Sequence, residues 1–180
     1  MNENKVLLSE VKPGETINTR IGTFIVLEQA EEGTKVITKD LFETMKQFGS
    51  SPDYKGSYMQ QLCEGEIYGE FAKEFGAENI IEHEVDLITV DMQQDYGKVN
   101  CRVRPLTFDE ARKYNDMLVN RELGDWYWTL TPWSTPARGW NWSVAVVSPS
   151  GGIFNNNFIY DNGVRPFCIL KSNIFVSKGE

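Results

Sequence analysis

The pattern of apolar and polar positions changes character along the 180 residues. From residue 6 to about residue 40 it reads as a β meander. Phe24-Ile25-Val26-Leu27 is a compact apolar run after Gly22, and Val36-Ile37 opens a return strand. Between them Glu31-Glu32-Gly33-Thr34 supplies a turn, with Gly33 free to take positive φ. Residues 41–50 are ambiguous; Leu41, Phe42, Met45 and Phe48 would suit one short helix.

The period then shifts to three and four. Met59, Leu62, Cys63, Ile67, Phe71 and Phe75 form one stripe, Ser51-Pro52-Asp53 offers a cap with a first-turn proline, and Gly76 stands where an αL residue ends a helix. This predicts a helix over about 52–76, weakened by Gly65 and Gly69 by about 1 kcal/mol each against alanine. A second helix, about 107–120, begins with Thr107-Phe108-Asp109-Glu110, a capping-box pattern. Ala111, Tyr114, Asn115 and Leu118 continue its inner face to the Gly124 stop. Between the helices Ile81, His83, Val85 and Leu87 alternate as a strand does, and Val99, Cys101 and Val103 do so again after the Tyr96-Gly97 turn. Short strands follow around Trp126–Leu130, Ser143–Val147, Ile153–Phe154 and Val164–Leu170. The expectation is an α+β chain, one domain over residues 1–180, with two helices on short antiparallel sheets and long aromatic-rich loops.

Composition narrows the function more than the fold. Hydrophobic content of 41% with 24% charged residues is that of a globular chain, and no run approaches the roughly 18 apolar residues of a membrane span. The start, Met1-Asn2-Glu3-Asn4-Lys5, is polar and leads only into Val6-Leu7-Leu8, so synthesis in the cytoplasm without a signal peptide is expected. A net charge of −8 argues against nucleic acid as a partner. That charge is uneven: residues 126–180 carry Arg138, Arg165, Lys171 and Lys178 against Asp161 and Glu180, a balance of +2, which leaves −10 to the first 125. All five tryptophans also lie in this C-terminal third.

Candidate chemistry is thin. Ser148-Pro149-Ser150-Gly151-Gly152 has no nucleophile-elbow pattern, and the lone His83 sits among alternating apolar neighbours, which reads as structural. Cys63, Cys101 and Cys168 lack C-x-x-C spacing; they read as reduced and buried, and Cys168 as a packed core residue. The clusters Glu82–Asp86 and Asp91–Asp95 lack the ligand spacing of a calcium loop and read as a solvated face, so no metal and no cofactor is expected. Gly151-Gly152 reads as a tight hairpin turn and Asp161-Asn162-Gly163 as a turn with φ > 0. Trp126 and Trp128 fit a core strand. Trp140-Asn141-Trp142 and Asn155-Asn156-Asn157-Phe158-Ile159-Tyr160 fit core less well, because asparagine is not buried without partners. Rings with amides supply contact area and adaptable hydrogen bonding, as recognition loops do; binding surface and plain loop both remain open on composition.

Trp126-Tyr127-Trp128-Thr129-Leu130-Thr131-Pro132, followed by Asn162-Gly163-Val164-Arg165-Pro166-Phe167, resembles the paired signature of a bacterial and phage family. That family has a C-type-lectin-like fold related to the formylglycine-generating enzyme. Gly22–Leu27 and Thr107–Tyr114 are similar to its opening strand and its helix, so the likeness spans roughly residues 6–175. The chain departs from the pattern in lacking the arginine after the tryptophans, the cysteine pair of the enzymatic branch and the calcium-lectin motifs. Relatives include variable proteins of diversity-generating retroelements, whose adenine-directed mutagenesis favours asparagine codons. The segments 140–143 and 155–162 have that composition.

What the resemblance implies is a non-enzymatic, phage- or prophage-encoded ligand-binding protein displaying residues 138–162. Its ligand residues would be Trp140, Asn141, Trp142, Asn155, Asn156, Asn157, Phe158, Ile159, Tyr160 and Asn162, with Arg165 pairing internally in the scaffold. The expected partner is a host surface protein or glycan, with no membrane and with a homo-oligomer or virion association open. A structural virion or tail component using the aromatic patch is the second reading, and an enzyme on the same fold the third.

Overall fold

The computed structural model describes residues 4–180; Met1–Glu3, part of the polar start in the signal-peptide reading, lie outside the described residues. Strands β1 (Lys5–Leu7), β2 (Thr16–Thr19), β3 (Gly22–Gln29), β4 (Thr34–Thr38) and β5 (Glu43–Lys46) come first. Helices α1 (Tyr58–Leu62) and α2 (Tyr68–Phe75) follow, joined through a π-helical turn over Cys63–Ile67. Then come β6 (His83–Asp86), β7 (Lys98–Cys101), β8 (Val103–Arg104), α3 (Phe108–Lys113) and α4 (Asn115–Leu118). The last stretch holds β9 (Tyr127–Pro132), β10 (Ser143–Val147), β11 (Ile153–Asn157), β12 (Asn162–Val164), β13 (Phe167–Leu170) and β14 (Phe175–Lys178). The content is α+β, sheet-rich with few helices.

Two larger sheets organise these strands. One has the order β1-β14-β2-β3-β4-β13-β8, the other β11-β10-β9-β12-β5, and β6-β7 form a separate pair. The β2-β3-β4 meander is as the pattern indicates, but β1 lies apart from it, paired with the last strand, β14. Nor are the sheets purely antiparallel, since β12 runs parallel to β9.

The continuous apolar run of β3 has a packing reason: both faces of that strand are covered. Phe24 and Val26 join the main core with Phe71 of α2 and Trp128 of β9. Ile25 and Leu27 point the other way, against Leu106, Tyr114 and Leu118 beside and within α3–α4. The sequence Phe167-Cys168-Ile169-Leu170 divides in the same way. Rings then lock α2 to the sheet: Phe24 meets Phe71 and Phe75 edge-on at 5.3 Å, and Phe42 meets Phe71 at 5.6 Å.

Several expectations are corrected. Residues 43–46 form β5 rather than a short helix, because their backbone pairs with β12 and Met45 takes φ 53 at an irregularity in the register. The first helix starts at Tyr58, where the Ser57 side chain accepts from the Gln60 N–H; Pro52 precedes it in a loop. It ends at Gly76 as expected, but with φ 87 and ψ 129 this glycine is outside the αL region expected for it. The Thr107 capping box is present, with Glu110 Oε1 accepting from the Thr107 N–H at 2.8 Å. That helix nevertheless breaks at Tyr114 and stops at Leu118, short of Gly124. The strand expected over Val164–Leu170 is two strands in different sheets, separated at Arg165-Pro166.

Arg165 occupies that corner, fully buried. Its guanidinium donates to Thr38 O at 2.8 Å, Lys39 O at 2.8 Å, Leu118 O at 2.7 Å and the Tyr127 hydroxyl at 3.2 Å. One side chain thus ties β4 of the larger sheet to β9 of the smaller sheet and to the end of α4, the internal role expected of it.

Candidate functional site

The segments singled out by their rings and amides meet at one end of the β10–β11 hairpin. The register pairs Ser143 with Asn157, Val144 with Asn156 and Ala145 with Asn155. One step further out, the Phe158 N–H donates to Trp142 O at 3.1 Å. The tryptophan segment and the segment 157–161 therefore lie side by side. The opposite end of the hairpin is the Gly151-Gly152 turn, Gly151 at φ 89, held against α4 by Asn115 Nδ2 donating to Gly151 O at 2.8 Å.

At the open end, Trp140 and Trp142 stack with centroids 4.6 Å apart and planes 23° from parallel. Each remains about 40% exposed. The indole N–H of Trp140 donates to Ser143 Oγ at 2.7 Å, which fixes its ring. Upstream, Pro136–Arg138 forms a single 3-10 turn closed by Gly139 at φ 73. A carboxylate anchors the base of this segment: Asp91 accepts from Ser134 Oγ at 2.6 Å and from Thr89 Oγ1 at 2.5 Å. Partial burial works to raise the Asp91 pKa, but these hydroxyls and the field of Arg138 hold it below its ordinary value.

The asparagine row is a strand, and strand alternation divides it. Phe154 and Asn156 share one face of β11 with half-buried Phe158, which packs on the main core; Asn155 and Asn157 lie on the other. Asn155 is exposed, whereas Asn156 and Asn157 are half-buried and hold local bonds. The Asn157 N–H donates to Asn156 Oδ1 at 3.0 Å, and Asn157 Oδ1 accepts from the Ile159 N–H at 3.1 Å. Ile159 and Tyr160 turn outward, Tyr160 57% exposed, and Asn141 is exposed between the tryptophans.

Three expectations fail here. Asn162, expected at the ligand face, is 3% exposed and accepts from Asn156 Nδ2 at 3.4 Å, because it is a strand residue paired with Lys46. Of the expected turn Asp161-Asn162-Gly163, the last two residues belong to β12; the observed turn is Asn157–Tyr160, where the Tyr160 N–H reaches Asn157 O at 3.0 Å. Gly163 answers to close approach: a Cβ there would lie 2.6 Å from Leu41 Cδ1. Trp128 is core, as expected, its indole donating to Lys46 O at 2.8 Å. Trp126 is not. It lies at the surface against Phe154 of β11, centroids 4.9 Å apart. Sequence reading missed this pair because it ended the strand at Phe154, and Ile153-Phe154-Asn155-Asn156-Asn157 holds no alternation that would have extended it.

His83 and the three thiols make internal contacts or are buried. His83 Nδ1 donates to Ile81 O at 3.0 Å and its Nε2 accepts from Arg104 Nε at 2.9 Å, while Arg104 pairs with Glu110 at 2.7 Å. Burial, then the Arg104 charge, lowers the His83 pKa. All three thiols are buried, and burial pushes Cys168 well above its ordinary range. Among the described residues no group of three histidine, cysteine or carboxylate side chains could hold a metal ion, and no helix is long and apolar enough to cross a membrane. Comparison with protein-family models, curated proteins and solved structures gave no significant match. The molecule is thus characterised by its own geometry: a two-sheet α+β scaffold bearing an exposed aromatic and amide face.

Proposed function

We propose that this protein is a non-enzymatic binding protein whose ligand face is the open end of the β10–β11 hairpin. The observation that carries the reading is the exposed Trp140–Trp142 stack beside Ile159 and Tyr160. Exposed indoles held by a hydrogen bond and a short helical turn supply contact area at low entropic cost, and the uncharged Asn141 and Asn155 amides at the margin supply donors and acceptors. A C-type-lectin-like scaffold, a phage or prophage origin and a host surface protein or glycan as partner belong to the same proposal. They draw support from the α+β content and from the two signature segments meeting as β9 and β12. The buried Cys168 lends nothing to the enzymatic reading.

The test is a panel of immobilised bacterial surface proteins and glycans probed with wild type and with Trp140→Ala/Trp142→Ala/Tyr160→Ala. The variant is expected to stay folded and to lose at least about tenfold in affinity, since truncating an interface hot spot costs roughly 2 kcal/mol or more. Equal binding by both proteins would move the ligand face elsewhere.

A further inference from the structure

Edge strands expose unpaired N–H and C=O groups, and proteins blunt them with charge, bulges or a covering segment. Most edges here are blunted. β1 is three residues long and carries Lys5; β8 is two residues long, carries Arg104, and has the Val103 N–H taken by Glu64 at 3.2 Å. β5 carries Glu43 and Lys46 and is kinked at Met45, while β6 and β7 carry Glu84, Asp86 and Lys98. β11, Ile153-Phe154-Asn155-Asn156-Asn157, has no charge, and its register with β10 is regular.

The ladder shows which groups on β11 are free. Bonded pairs flank the hairpin: the Ser148 N–H reaches Gly152 O at 2.8 Å and the Phe158 N–H reaches Trp142 O at 3.1 Å. Alternation then turns the backbone of Phe154 and Asn156 toward β10 and that of Ile153, Asn155 and Asn157 outward. Asn157 is already occupied, its N–H by Asn156 Oδ1 and its carbonyl by the Tyr160 N–H. The outer edge therefore offers the N–H and C=O of Ile153 and of Asn155.

We infer that a second copy of this chain docks on that edge, β11 against β11, antiparallel about a two-fold axis through Phe154. Only this register mates all four free groups, with Ile153 of one copy opposite Asn155 of the other, twice. Centring on Asn155 would oppose Ile153 to the occupied Asn157, and centring on Ile153 would oppose Asn155 to Gly151 inside the turn. Phe154 then faces its own symmetry mate in a non-hydrogen-bonded pair, where side chains approach closest. Its ring is half exposed and already backed by Trp126. Two copies of net charge −8 repel, and among the edge strands only this one carries no charged side chain to add to that repulsion at the axis. The contact is isologous and joins two five-stranded sheets into one of ten. It stands independently of any ligand bound by Trp140 and Trp142.

Sedimentation equilibrium of wild type, Phe154→Lys and Asn155→Pro tests the pairing. The lysine sets two cations face to face at the axis. The proline removes an outward N–H together with the Asn155 amide and leaves the β10 ladder whole. Wild type is expected at twice 20.6 kDa and both variants at 20.6 kDa with the circular dichroism of the folded chain. A wild type that stays monomeric up to its solubility limit overturns the inference, including where it captures an added extended peptide instead. A dimer that persists in both variants also overturns it, by placing the interface on another face.

Discussion

Arg165 is the residue on which the two larger sheets depend most directly. Its guanidinium is fully buried with three carbonyls and one hydroxyl as acceptors, and one of those carbonyls belongs to Leu118, the last residue of α4. Helix-end carbonyls have no partner within the helix, so a cation there satisfies a group that would otherwise be buried and unpaired. Removing the side chain takes this donor from Thr38 O, Leu118 O and the Tyr127 hydroxyl at once, while Lys39 O keeps the Asn120 Nδ2 donor at 3.1 Å. Each buried unsatisfied polar group costs about 1–3 kcal/mol, so Arg165→Ala is expected to lose at least about 3 kcal/mol in chemical denaturation. Tyr127→Phe removes a single acceptor at the longest of the four distances and should lose about 1 kcal/mol. Equal losses for the two variants would show that the three carbonyl bonds of Arg165 add nothing beyond its contact with the Tyr127 hydroxyl.

At the scale of elements, the helices show how local sequence is overridden. Cys63–Ile67 takes the π form, so the apolar stripe is re-phased between α1 and α2 while Cys63, Ile67 and Phe71 all stay buried. A stripe of three- and four-residue steps shows that a helix exists, but not that an extra residue is inserted into one turn. Gly69 lies in α2 with nothing within 4 Å of the position a Cβ would take. Gly69→Ala is therefore expected to stabilise by about 0.5–1 kcal/mol, through the lost freedom of the unfolded chain. Thermal unfolding checks this, and a lower midpoint would mean that the segment needs glycine for a reason other than space.

The same contrast governs how much could be read beforehand. The Thr107 capping box, the Gly76 stop, the β6–β7 alternation and the meander were legible because each depends on neighbours within a few residues. β5 was not, since its strand character comes from pairing with β12, more than a hundred residues away in sequence. The candidate face was half legible: rings and amides announced an unusual surface. Their division between two faces, the burial of Asn162 and the Trp126–Phe154 contact follow from register, which composition does not contain.

For the molecule as a whole, the titratable groups define a stability plateau. On the acid side, burial and then Arg104 depress the His83 pKa below its ordinary 6.5, with Glu110 and Glu64 opposing more weakly. The unfolded chain then binds that proton first, so the contribution of His83 is complete above about pH 6.5 and is lost as pH falls below it. The carboxylates act lower down. Glu28, held by Lys113 and then Lys35, is lowered from 4.5 to about 2. Glu110 is lowered too: burial would raise it, but Arg104 outweighs that. Their stabilisation is present above about 4.5 and is lost on acidification toward 2. On the alkaline side, burial raises Cys101 to about 12 from 9.0 and raises Cys63, Cys168 and Tyr54 as well. The unfolded chain releases those protons near 9 and 10, so stability declines again above about pH 9. The midpoint of thermal unfolding is thus expected to be flat between about pH 7 and 8.5 and to fall on both sides. His83→Gln keeps an acceptor for Arg104 but cannot take up a proton. It should remove the decline between about pH 6.5 and 5 while leaving the steeper carboxylate limb in place. If the variant falls as steeply as wild type over that interval, the first acid step belongs to another group, and the His83–Arg104–Glu110 junction is insensitive to protonation.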